Sequence, residues 1–405
     1  MSAETSSIEV KPPEERQRDL PALTGMRIIA ALLVFLSHVV YPMTTGNQNP
    51  TTPFKDAGVT ENLVWFFSPG GSIGVSFFFI LSGFVITWSS RPGRSTGAYY
   101  RRRVVKILPN HVVTWGLAML LFAASYTPAY GLLNLILVNA YSPDPMNWGG
   151  ANMPAWSLCS EMLFYLLFPL LIIPIRKIRD GHLWAWAAVA VAAMAAVGVV
   201  TLTLVPDAPV FPGDVLSLNQ FWFVYMFPPV RLFEFVFGMI LARIVLRGRW
   251  PRIGFVPVAA LLVLGYAAAL YLPPPWNLTL ATSIPFGLAI GTFAKANAEG
   301  RRTVMGSRPM VWLGNVSFGF YMTQALVLFW LVPTVLGTWA SFNVLGGTLL
   351  VLAYTGVNVV AGWLLWKFVE TPAMKYLSRS RKRPADGPPA ASAQEPRVSA
   401  QTTPA

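Results

Sequence analysis

The sequence predicts an all-α polytopic membrane protein of about ten transmembrane helices with both termini in the cytoplasm. Three observations carry that expectation. Of the 405 residues, 54% are hydrophobic and 12% charged, and mean hydropathy is +0.52; a water-facing domain carries about 25% charged residues. So few charges fit a surface that lipid covers. The chain also holds a series of apolar runs of about 17 to 26 residues, each able to cross a ~30 Å hydrocarbon core. Finally, basic residues gather in alternate connections, the pattern of cytoplasmic loops.

In chain order, residues 1–19 are rich in Pro, Ser and charge and are expected to form a disordered cytoplasmic tail. Leu20–Met43 is the first span. Polar residues precede it and no small-residue cleavage site closes it, so an uncleaved signal anchor is expected. In the second, Gly71–Ser89, the glycines Gly70, Gly71, Gly74 and Gly83 permit close helix approach. Arg91, Arg94, Arg101, Arg102, Arg103 and Lys106 form a basic loop before the third span, Ile107–Tyr126. Tyr130–Tyr141 is too short to cross comfortably and reads as interfacial or re-entrant.

The fourth span, Trp156–Ile175, is followed by Arg176, Lys177 and Arg179. Leu183–Val205 is the fifth, and Phe221–Leu246, the sixth, is followed by Arg247, Arg249 and Arg252. Gly254–Leu272 and Leu278–Ala294 come next. Lys295, Arg301, Arg302 and Arg308 then lead into Val311–Val332, and Asn343–Phe368 is last. Glu370-Thr371-Pro372 is expected to end that helix, because Pro disfavours helix at the residue before it. Residues 378–405 form a second disordered cytoplasmic tail, leaving 20–377 as the membrane domain. The opposite set of connections holds one basic residue, Lys55, and this asymmetry sets the orientation.

The net charge of +13 does not imply nucleic acid, because the basic residues lie in short clusters between apolar runs. One cysteine, Cys159, excludes an intrachain disulfide and a multi-thiolate metal site; with three histidines, no metal centre is expected. Cys159 reads as a small packing residue.

Ionisable residues at membrane depth are costly and so are functional candidates. His111 and His182 fall at cytoplasmic span ends, where interface residues are expected, whereas His38 lies well inside the first span. Arg27 precedes His38 by 11 residues, so the two share a helical stripe within about 20° and stand ~16 Å apart. A cation near the cytoplasm with an imidazole deep inside suits an elongated anionic ligand. Glu161 has a depth similar to that of His38, and a carboxylate there could fix the imidazole tautomer. Arg231 and Glu234, at i and i+3, can neutralise each other on one helix face.

Together these stretches resemble acyltransferase family 3, the integral-membrane acyl-CoA-dependent O-acyltransferases. Leu23-Thr24-Gly25-Met26-Arg27 through His38 is similar to the family's Arg-x10-His motif, and Gly74 through Phe84 to its second-span signature. Tyr100-Arg101-Arg102-Arg103 with Lys106-Ile107-Leu108-Pro109 resembles its basic loop. Trp156-Ser157-Leu158, Ser160-Glu161 and Phe164-Tyr165 resemble its next block, and Arg231, Glu234, Phe235 and Gly238 a later one. Trp312 through Tyr321, and Glu370-Thr371-Pro372, complete the set. Two positions depart from it: Gln324 stands where members commonly carry His, and His111 where an aromatic is usual.

The resemblance implies acyl-CoA as co-substrate, with no permanently bound cofactor. Arg27, Arg101, Arg102, Arg103 and Lys106 would bind this donor, Arg by bidentate bonds to phosphate. His38 would act as general base, with Glu161 as its partner. Ser82, Trp156, Ser157, Arg231, Glu234, Tyr321 and Gln324 are further pocket candidates, Gln324 or Tyr321 for the oxyanion. The expected partners are acyl-CoA, membrane lipids and a hydroxyl-bearing acceptor, but no nucleic acid. With no fused extracytoplasmic domain expected, a compact acceptor is preferred, either a macrolide-like metabolite or a lipid-linked sugar, taking acetyl or short acyl groups at the cell membrane. The alternative is a transporter or flippase without acyl-transfer chemistry, marked by broken helices in paired positions. A scaffold, the third reading, would leave Arg27, His38 and Glu161 facing lipid or separate pockets.

Overall fold

The structure, a computed structural model, describes residues 19–40, 52–93, 95–121, 127–210, 215–331, 334–335 and 341–378. Both expected tails, apart from Asp19 and Ser378, lie outside the described residues. So do Arg94 and the ends at 41–43, 122–126 and 332 of three expected spans.

The described chain is helical without a strand, apart from one isolated bridge between Phe54 and Phe342. Its main helices are α1 (Pro21–Val40), α2 (Ala57–Phe67), α3 (Gly70–Ser89), α4 (Thr96–Leu121), α5 (Pro128–Leu135), α6 (Ala155–Lys177), α7 (Leu183–Leu204), α8 (Pro228–Leu246), α9 (Phe255–Tyr271), α10 (Trp276–Ala298), α11 (Arg308–Leu326), α12 (Val344–Leu365) and α13 (Thr371–Leu377). Among the described residues, eight helical stretches are long and apolar enough to cross a membrane. α8 and α9 occupy the positions of the expected sixth and seventh spans. α8 carries Arg231, Glu234 and Arg243, and α9 is a shorter helix of 17 residues. Large apolar side chains such as Leu170, Leu204, Val256 and Leu345 stand exposed, as lipid-facing residues do.

α3 is the axis of the bundle. It is apolar around its circumference and packs against α1, α8 and α10, which is how a helix without a polar face is accommodated. A Cβ added to Gly83 would sit 2.0 Å from Phe235 O, and one on Gly238 2.0 Å from Ile80 O, so α3 and α8 touch backbone to backbone. Gly70 and Gly74 meet Leu33 O and Ala30 O of α1 in the same way, as the small residues led us to expect.

α1 and α11 run parallel. Gly314 lies against Thr24, the rings of Phe35 and Phe320 are 5.2 Å apart, and His38 is level with Gln324. Thr323 Oγ1 donates to Asn358 Oδ1 at 2.9 Å, and Asn358 Nδ2 to Phe320 O at 2.9 Å, which locks α11 to α12.

Three sequence expectations are corrected. The basic segment before the third span is the first turns of α4, which begins at Thr96; the charges hid its helical phase. His111 is fully buried, its Nε2 within 3.0 Å of Asn134 O and 3.1 Å of Leu135 O. It clamps α5, which folds back on α4; that contact is tertiary and leaves no local pattern. α5 has eight residues, a length of ~12 Å, and does not cross a membrane. At Pro372 the last helix does not end. It widens into a π turn over Trp366–Glu370 and resumes as α13. The wider turn accommodates a proline that lacks an N–H and crowds the preceding turn. This detour delivers Glu370 to Lys106 and to Asn110, whose Nδ2 donates to Glu370 Oε2 at 2.8 Å. Arg101 Nε donates to Leu377 O, so the end of α13 meets the start of α4.

Candidate active site

A cavity of about 500 Å³ lies among α1, α3, α4, α6 and α11. Its mouth is at Asp19, Ser89 and Arg91, the basic end of the bundle. From there it follows α3 as far as Val75, a path of ~21 Å at 1.5 Å per residue. α1 contributes Leu20, Leu23, Thr24 and Arg27, one stripe at helical spacing. Ser157, Glu161 and Tyr165 repeat every four residues on α6 and therefore share a face. α4 presents Arg103 and Lys106, and α11 presents Ser317, Phe318 and Tyr321.

The helical phase of α4 divides the basic cluster. Arg103 and Lys106 are at i and i+3 and line the cavity, whereas Arg101 and Arg102 do not. Arg103 lies 5.8 Å from the ring centroids of both Tyr99 and Tyr165. Arg27 and Arg103 form no ion pair among the described residues. Lys106 is paired with Glu370. The lining holds four basic side chains against two carboxylates, Asp19 and Glu161, so its potential is positive within low-dielectric walls that focus it.

Glu161 accepts a hydrogen bond from the Tyr165 hydroxyl at 3.0 Å. Deeper in, the Tyr321 and Ser157 hydroxyls are 2.9 Å apart, and Tyr321 also reaches Pro154 O at 3.3 Å. Val75, Ser157 and Tyr321 close the inner end. His38 is outside the lining, about one turn beyond, with Nδ1 3.3 Å from Gln324 Oε1. Gln324 is three residues after Tyr321 on α11, so this helix presents one residue to the cavity and the other to the imidazole.

Arg27, Ser82, Arg103, Lys106, Ser157, Glu161 and Tyr321 are thus brought together, and His38 with Gln324 forms an adjoining pair. Glu161 is not the partner of His38: similar depth along two helices does not fix which faces meet. Arg231 and Glu234 lie under the wall. Arg231 Nε is 2.9 Å from Glu234 Oε2, off the N–H axis, so charge rather than an aligned hydrogen bond holds them. The Arg231 guanidinium donates to Ser76 Oγ at 3.1 Å and stacks 5.1 Å from the ring of Phe79, a lining residue. Trp156 packs on Tyr225 at 4.8 Å, away from the cavity. Cys159 is buried and donates to Asn139 Oδ1, a packing role.

Sequence reasoning missed Tyr165, Arg91, Phe78 and Glu370. Tyr165 had a signal, lying four residues after Glu161 on the same helix face. For Glu370 the resemblance marked the Glu370-Thr371-Pro372 segment, but no local pattern gave its partner, which depends on a contact across 264 residues.

A family model described as Acyltransferase domain matches residues 20–367. Acyltransferase MdmB of Streptomyces mycarofaciens is 36% identical over 373 residues, covering 89% of this chain and 93% of that protein. Peptidoglycan O-acetyltransferase OatA of Listeria monocytogenes is 22% identical over 396 residues, covering 88% of this chain and 56% of that protein. Nose resistant to fluoxetine protein 6 of Caenorhabditis elegans is 23% identical over 283 residues, covering 59% of this chain and 33% of that protein. No solved structure matches the chain.

Proposed function

The chain belongs to this acyltransferase family, and on that premise we propose that it moves an acetyl or other short acyl group from acyl-CoA to a hydroxyl of a macrolide-like metabolite or lipid-linked sugar at the cell membrane. The observation that carries the reading is the elongated cavity, cationic at its mouth and closed at its far end by the Ser157 and Tyr321 hydroxyls, with the His38–Gln324 pair about one turn beyond. Its shape and charge suit a long donor with an anionic head and a neutral arm. A relative named as an O-acetyltransferase supports a hydroxyl acceptor.

In this reading the donor's phosphates meet Arg91, Arg103 and Lys106, and Lys106 exchanges Glu370 for phosphate. Arg27 holds the next polar portion, and the arm runs along α1 and α3 toward Tyr321. Parting of the Tyr321–Ser157 hydroxyl pair opens the last turn to His38. His38 Nε2 then takes the acceptor's hydroxyl proton as that oxygen attacks the thioester carbon. The Tyr321 hydroxyl donates to the developing oxyanion. Collapse breaks the carbon–sulfur bond, the imidazolium returns its proton to the thiolate, and ester and free CoA result. A positioned base of this kind contributes roughly 10²–10⁴-fold.

The test is CoA release from acetyl- or propionyl-CoA by purified protein in lipid nanodiscs, with an acceptor panel of macrolide and polyprenyl-linked sugar alcohols. His38→Ala is expected to abolish acceptor-dependent release while leaving acetyl-CoA binding and membrane level intact. Retained release would remove His38 from the chemistry. No ester product with any acceptor in the panel would remove the acceptor class.

A further inference from the structure

We propose that Gln324 is a positioning residue: its carboxamide oxygen takes the Nδ1 proton of His38 and thereby leaves Nε2 unprotonated and free to act as the base. The inference rests on the assignment of His38 as base and deepens it.

An imidazole used as a base must present one defined nitrogen, and the hydrogen bond made by the other selects it. A carboxylate is the usual partner. Among the described residues His38 has no carboxylate partner; Glu161 lies in the cavity lining, which His38 does not reach, and accepts from Tyr165. Its one recorded partner is Gln324 Oε1 at 3.3 Å. A carbonyl oxygen can only accept, so in this contact Nδ1 is the donor and carries the proton. Gln324 is 1% exposed, and its Nε2 has no partner among the described residues. His38 Nδ1 is therefore the amide's hydrogen-bonding neighbour among the described residues.

The surroundings fix the position of that oxygen. Gly314 against Thr24 and Phe35 against Phe320 hold the parallel register of α1 and α11. One residue before Gln324, Thr323 bonds Asn358 of α12, so the backbone at this level is tied from a third helix. A neutral amide differs chemically from a carboxylate here. It orients the ring without adding negative charge beside a site that must admit an anionic donor. Gln324 is absent from the cavity wall, so it can act on the reaction through His38 without touching the donor.

The experiment compares Gln324→Met, which keeps length without the acceptor, with Gln324→Glu, which keeps an acceptor oxygen. In the CoA-release assay Gln324→Met is expected to lower kcat by about 10- to 100-fold, the range for losing an orienting partner, with KM for acetyl-CoA within twofold. Gln324→Glu is expected to keep a kcat well above that of Gln324→Met, the added charge showing instead as a higher KM for acetyl-CoA. Nitrogen-15 spectra of histidine-labelled protein in nanodiscs, with His38→Ala for assignment, are expected to show Nδ1–H in the parent and mixed tautomers in Gln324→Met. An Nε2–H tautomer in the parent overturns the proposal. So does an unchanged kcat in Gln324→Met, or equal losses in Met and Glu variants. Activity surviving in His38→Ala would instead defeat the underlying assignment of the base, which the same assay reports separately.

Discussion

Arg27, Arg103 and Lys106 come to one cavity from two helices, and their surroundings differ. Arg27 faces the cavity without an ion-pair partner among the described residues, Arg103 lies near the rings of Tyr99 and Tyr165, and Lys106 is held by Glu370. A charged hydrogen bond is worth about 1.5–3 kcal/mol. Arg27→Ala is therefore expected to weaken donor binding by roughly 10- to 100-fold, with kcat changed far less. Arg101→Ala removes a bond to Leu377 O outside the cavity and is expected to leave donor affinity within twofold. Calorimetric titration of acetyl-CoA into the two variants checks the contrast, and equal losses would show that the wall is misassigned. In the sequence Arg101, Arg102, Arg103 and Lys106 were indistinguishable members of one basic cluster. Arg103 and Lys106 separate from Arg101 and Arg102 only once the helix is known to start at Thr96.

At the scale of elements, the site depends on α3 being gripped from two sides without intervening side chains. Gly83 and Gly238 form reciprocal contacts between α3 and α8, and any Cβ there meets backbone, which cannot rotate away. Overpacking costs about 1–3 kcal/mol where side chains can yield, and more is expected here. Gly238→Ala is expected to lower the thermal aggregation temperature in detergent and the yield of monodisperse protein. Gly116→Ala and Gly356→Ala, where an added Cβ meets nothing within 4 Å, serve as controls and are expected to leave both unchanged. Equal behaviour of all three would contradict the packing. The glycines of α3 were visible in the sequence as a pattern, but their partners were not. The buried Arg231–Glu234 pair was legible too, since i and i+3 spacing is local. Its place under Phe79, outside the cavity, was not.

Across the whole molecule, the described ends of the chain gather at the basic end of the bundle. Asp19 lines the cavity mouth beside Arg91, and Leu377 is tied to Arg101. Orientation by positive charge then gives a specific expectation. Reporters fused after Ser378 and inserted at Pro92 are expected to register the cytoplasm, and one inserted at Asp207 the opposite side. A split result from the first two would refute the orientation. The transporter alternative shared the apolar spans and buried charges, and membership of an acyltransferase family decides against it.

Fold class, the approximate places of the spans and the family were within reach of the sequence, because hydropathy, charge asymmetry and 3.6-residue periodicity are local properties of the chain. Tertiary structure alone decided which inward-facing groups share a space. Glu161 joins Tyr165 and the cations, His38 joins Gln324, and a hydroxyl pair stands between them. The physical reason is that a helix's own sequence fixes the spacing of its side chains, whereas its rotation and register against its neighbours come from contacts between residues far apart in the chain.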